Sequence, residues 1–164
     1  MLLQKPAKCN NMYSKEEASK LRQQFWITFG KYMKPILAAD GLPTNWVNYK
    51  TGVKHVFFKM DATQKQAVIA IDITHGDEAT RTLFFEQFVA FKTLFEDALD
   101  EKWDWEANAV NEYGVPLSRI YKTLPEVNIF NQQHWPAIIS FLKPRIIALD
   151  QFWTDVKPVF EAIS

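Results

Sequence analysis

Apolar residues recur at helical spacing from Ala18 onward, through Leu21, Phe25, Tyr32 and Ile36, widened by Trp26, Phe29 and Met33. That stripe predicts a long amphipathic helix. Ser14 and Glu17 open it as a capping box, each side chain placed to satisfy the other residue's free amide. The pattern weakens at Pro35 and ends by Ala39 to Pro43. Three short runs follow, "NWVNYK", "VKHVFFKM" and "QAVIAIDIT", rich in β-branched and aromatic residues. Thr51-Gly52 and the stretch Asp61 to Gln64 separate them as turns would, which predicts a three-strand antiparallel meander. The third run is apolar on both faces, with Ala67, Ile69, Ile71 and Ile73 on one and Val68 and Ala70 on the other. It is expected as a central strand covered by helices on both sides. Phe84, Phe88, Phe91, Phe95 and Leu99 then mark a second helix from Asp77 to Glu101. "KWDWEA" alternates as a half-buried strand, "NEYGVP" turns, and "LSRIYKTL" returns as its partner, with Arg119 across from Glu106. The last third is helical from Asn131 or His134, with a kink or break expected at Pro144 and at Pro158. The order α-β-β-β-α-β-β-α gives one α+β domain, mainly an antiparallel sheet packed by long helices. It spans residues 12–164. Residues 1–11 stay outside the periodicity and are expected to be a flexible N-terminal extension.

Composition sharpens this picture. A chain of 164 residues suits one domain with a proper core. Aromatics reach 15%, with thirteen Phe and six Trp, which predicts a dense core and one exposed aromatic surface. No apolar run approaches the roughly 20 residues of a membrane span, and the first residues lack the apolar core of a secretory signal. The single Cys9 forms no internal disulfide and supports no thiolate-rich zinc site, which fits a cytoplasmic protein. Net charge is zero but uneven. Residues 1–60 hold ten Lys/Arg against three Asp/Glu, and residues 61–112 hold four against twelve. A near-neutral chain argues against strong phosphate binding.

The candidate chemistry gathers at Asp72-x-x-His75-x-Asp77-Glu78. Two carboxylates and an imidazole would suit a divalent ion, so Asp72 and His75 are candidate metal ligands and Asp72 a candidate catalytic acid. A structural reading absorbs most of the cluster: Gly76 turns the chain, and Asp77 and Glu78 start a helix and complement its dipole. Asp72 alone resists it, because a mid-strand carboxylate on a largely buried face needs a cation. Arg22 and Lys59 are the expected partners. The succession of elements resembles the core of restriction-endonuclease-like nucleases, which place an acid and an (Asp/Glu)-x-Lys pair around magnesium. Here the triplet is Asp72-Ile73-Thr74, and the lysine is missing. Asp104 and Glu106 share a strand face about 7 Å apart, a spacing open to acid–base work or to a plain solvated face. Trp103 and Trp105 read as core anchors or as a stacking platform. His55, His75 and His134 lack metal-ligand spacing. No serine has a nucleophile-elbow context, and no phosphate-binding glycine loop is present.

The stretches "MYSKEEASKLRQQFW", "NWVNYKTGVKHVFFKMD" and "SRIYKTLPEVNIFNQQHWPAIISFLKPRIIALDQFW" resemble small bacterial proteins of the family called domain of unknown function 4268. The resemblance runs from Met12 to Ile163. It implies no activity and transfers no functional residue. In larger chains the family follows nuclease-like segments, which implies an accessory role around nucleic acid; no such segment lies within these residues. The expectation is therefore a cytoplasmic, non-catalytic binding or interaction domain with no cofactor. Trp103, Trp105, Arg22 and Lys54 are its candidate contacts. A protein partner or a second copy is expected rather than a membrane. Nucleic acid, met through Lys15, Lys20, Arg22, Lys31 and Lys54, is a further possibility. A degenerate nuclease fold around Asp72 is the alternative.

Overall fold

A computed structural model describes residues 13–164, so the expected extension at 1–11 lies outside the described residues. The first helix, α1, is Lys15–Met33, and Ser14 Oγ accepts the Glu17 amide at 3.2 Å, one of the two bonds of the expected capping box. Then come β1 (Val56–Ala62), β2 (Gln66–Ile73), α2 (Glu78–Ala90), α3 (Lys92–Leu99), β3 (Asp104–Val110) and β4 (Pro116–Pro125). A short 3-10 turn, Gln132–His134, leads into α4, Trp135–Ile163. The strands form one antiparallel sheet in the order β1-β2-β4-β3. The domain is α+β, as the pattern implied. No described helix is long and apolar enough to cross a membrane.

One face of the sheet carries the core. Phe58, Ile69, Ile71, Ile73 and Ile120 project from the strands into a cluster with Phe25 and Phe29 of α1, Phe84 and Phe88 of α2, and Phe95 of α3. The long α4 runs through this cluster, with Ile138, Leu142, Ile146, Leu149, Trp153 and Phe160 buried along one stripe. Each such side chain contributes about 2–3 kcal/mol of transfer free energy. The helices therefore lie on a single side of the sheet. The expectation of helices on both sides fails, since among the described residues no helix packs on the face of Val68, Ala70 and Asp72.

Three local expectations are also corrected. "NWVNYK" is not a strand, because tertiary bonds claim its side chains. The Trp46 indole donates to the Ile36 carbonyl at 2.9 Å, and the Tyr49 hydroxyl donates to Asp150 Oδ1 at 2.6 Å. Strand β1 starts only at Val56, because His55 sits at φ 65°, in the left-handed region that interrupts a ladder. The second helix divides at Phe91, whose φ of −94° and ψ of 11° leave the helical region. That bend lets Phe88 pack on Phe160 while Phe95 meets Phe152, Trp103 and Trp105. Of the kink or break expected in the last helix, the break is absent: α4 runs through Pro144 and Pro158 as one element. Each proline withholds an amide from the carbonyl four residues earlier. Those carbonyls belong to Ser140 and Thr154, both exposed to water.

Candidate functional site

The uncovered face of the sheet is set by register. Phe57 pairs with Asp72, Asp72 with Arg119, and Arg119 with Glu106, which puts all four side chains on one side. Lys59, Ala70, Tyr121 and Asp104 form the next row, and Asp61, Val68 and Thr123 the one after. Within this face, Gln66, Val68, Glu106, Asn108, Arg119 and Tyr121 line a concavity of about 450 Å³.

Asp72 is only 2% exposed. Arg119 grips it in bidentate fashion, Nε to Oδ1 at 2.7 Å and an Nη to Oδ2 at 2.9 Å. A planar fork on a carboxylate is among the stronger polar contacts available, and it raises the guanidinium's pKa above its ordinary value. The cation is thus Arg119, not Arg22 or Lys59. Arg22 instead lies over the Phe130 ring at 5.5 Å and Lys59 over Phe57 at 5.4 Å. The signal that identifies Arg119 is the pairing of β2 with β4, which strand patterns 40 or more residues apart do not announce. Arg119 also stands opposite Glu106, as the hairpin reading expected. Glu106 accepts the Tyr121 hydroxyl at 2.7 Å, and this bond pushes the phenol's pKa up to about 12. Sequence pattern alone does not single out Tyr121; its signal is its place two residues after Arg119 on the same strand face.

The other sequence candidates lie elsewhere. His75 does not join Asp72. Its ring packs between His55, at 4.9 Å, and Phe84, at 4.3 Å, and its Nδ1 is buried with no hydrogen-bond partner among the described residues. Burial first, then the neighbouring His55 and Arg81, lower its pKa. Asp77 caps α2 by accepting the Thr80 amide at 3.0 Å, and that hydroxyl and amide together lower its pKa. Among the described residues no three His, Cys, Asp or Glu gather to hold a metal. Trp103 and Trp105 both point to the helix side. Trp103 is 6% exposed and donates to Glu101 Oε1 at 2.9 Å. Trp105 meets Phe85 and Phe95 edge-on, under the Lys92 ammonium. Lys54 is exposed in the turn before β1.

Fold and site define a class: an α+β domain with a one-sided antiparallel sheet and an ion-paired open face. The family model described as Domain of unknown function (DUF4268) matches residues 21–157, and the chain belongs to that family. No curated protein and no solved structure matches it.

Proposed function

We propose that this chain is a cytoplasmic, non-catalytic binding domain whose open sheet face receives a basic, partly apolar polypeptide segment. The observation that carries this reading is the charge left on that face. Asp72 and Arg119 cancel each other, while among the described residues Asp61, Asp104 and Glu106 are exposed on it against Lys59 alone. Such a surface attracts cationic side chains and repels phosphate, which weighs against a nucleic-acid accessory role. Beside it the β3–β4 hairpin exposes Val110, Tyr113 and Val115, apolar area for a partner to cover. The nuclease alternative loses its support, because both Asp72 oxygens are bound by a guanidinium and the group is closed from solvent.

Selection from a displayed peptide library tests the proposal. Peptides with Lys or Arg flanking apolar residues are expected, bound more weakly as salt rises. Glu106→Arg combined with Asp104→Arg should weaken them roughly tenfold or more, the scale of losing a hydrogen-bonded charge. Selected peptides indifferent to these changes would overturn the reading. So would magnesium-dependent DNA cleavage that disappears in Asp72→Ala.

A further inference from the structure

A second concavity, about 340 Å³, lies between α4 and the segment joining α1 to β1. It shares no residue with the open sheet face. The most buried charged group in its lining is Asp150, 4% exposed. Asp150 Oδ1 accepts the Tyr49 hydroxyl at 2.6 Å, and Oδ2 accepts the Ala39 amide at 2.7 Å. Both donors are neutral. Asp72 and Glu101 each hold an arginine, yet among the described residues no cationic nitrogen lies within 4 Å of Asp150. A carboxylate has about four acceptor positions, so roughly two remain. A buried charge without a cation is costly unless one arrives. Burial and then the Asp150 hydrogen bond raise the pKa of Tyr49, so its phenol keeps the proton and offers no charge in exchange.

The same wall supplies another acceptor. Pro158 has no amide to give the Thr154 carbonyl, and both residues line the cleft. Asp40 and Glu161 complete the lining on the acidic side. Lys50 and Lys157 line it too, and neither has an acid within 4 Å among the described residues. Lys157 Nζ rests over Gly52, where a Cβ would come within 2.6 Å of it. Along α4, Asp150 and Lys157 are two turns apart, about 10 Å of rise.

We propose that this cleft binds a small zwitterion, with its ammonium group at Asp150 and the Thr154 carbonyl and its carboxylate at Lys157 and Lys50. The cleft's volume is at the lower end for ligand sites, suited to a molecule of amino-acid size. The acids at Asp40 and Glu161 discriminate against a plain anion. The two lysines discriminate against a plain amine.

Calorimetric titration with β-alanine, γ-aminobutyrate and δ-aminovalerate tests this, with butylamine and butyrate as one-ended controls. At least one zwitterion should bind saturably, and both controls roughly tenfold more weakly or worse. Lys157→Met should weaken the zwitterion by a similar factor and leave butylamine unchanged. Asp150→Asn should abolish binding of both. Because Asp150 also anchors the loop, Lys157→Met is the decisive variant: its ammonium makes no hydrogen bond within the described fold, so the unfolding midpoint should hold. Absence of saturable binding below about 10 mM for all three zwitterions overturns the proposal. Binding indifferent to Lys157→Met overturns it as well.

Discussion

Asp72 and Arg119 are unequal partners: the aspartate side chain is 3% exposed and the arginine 33%. Removing the arginine strands a charge in the sheet, whereas removing the aspartate leaves a cation that still reaches water. Arg119→Met should therefore cost about 3 kcal/mol and Asp72→Leu distinctly less, with the double variant recovering most of the loss. Urea unfolding of the four proteins checks this; additive losses in the double variant would contradict it. Arg119→Lys should fail as a rescue, since one ammonium does not reproduce two parallel bonds. His75 makes a prediction in pH. Its pKa is lowered in the fold by burial, then by His55 and Arg81. Between the folded value and the unfolded value of about 6.5, the unfolded chain binds the extra proton. Stability should thus fall as pH drops below about 6.5 and level off once the folded pKa is passed. His75→Gln should flatten that part of the stability–pH curve, measured by denaturant melts at successive pH values.

Elements are joined here by polar clasps as well as by core. Arg145 of α4 holds Glu101, in the turn after α3, through bonds of 2.7 and 2.9 Å, and also donates to the Phe141 carbonyl. Burial pushes the Glu101 carboxyl up, but the Arg145 and Trp103 hydrogen bonds outweigh it and hold the group below its usual range. Its contribution is therefore present above about pH 4.3 and lost as pH falls through the folded pKa. Glu101→Gln should cost about 1–2 kcal/mol at neutral pH and nothing in strong acid, where the wild type is protonated too. An equal loss at both pH values would show that packing, not charge, joins α3 to α4. The same clasps explain what the sequence disclosed. Periodicity revealed α1, β2, β4 and most of α4, because each pays out its apolar residues at one fixed interval. It missed the loop at "NWVNYK", whose aromatic residues are recruited by Ile36, Phe58 and Asp150 rather than by a ladder. Asp72 was recognisable as a carboxylate needing a cation. Its partner was not, because only the assembled order β1-β2-β4-β3 brings Arg119 beside it.

At the scale of the whole molecule, neutrality conceals a separation of charge. Residues 1–60 hold ten cations against three acids and residues 61–112 four against twelve, and among the described residues the two segments form no ion pair with each other. Both salt bridges among the described residues, Asp72–Arg119 and Glu101–Arg145, bind acids of the middle segment to arginines of the last one. The basic segment thus keeps its charge for solvent: Lys15, Lys20, Arg22 and Lys31 are exposed on α1, which packs on α4. The acidic segment does likewise, with Glu78, Glu86, Asp97, Asp100, Asp104 and Glu106 exposed from α2 through β3. A neutral molecule with two such regions has no net repulsion to keep copies apart, while the regions of different copies attract. Light scattering at about 10 mM salt, where the screening length is about 30 Å, should show net attraction between copies. The attraction should fade by about 150 mM, where that length is about 8 Å. Lys20→Glu combined with Lys31→Glu should remove it at low salt by reversing charge on the exposed side of α1. Attraction that survives high salt would instead point to apolar contact through Val110, Tyr113 and Val115, and Tyr113→Ser would then be the variant that abolishes it.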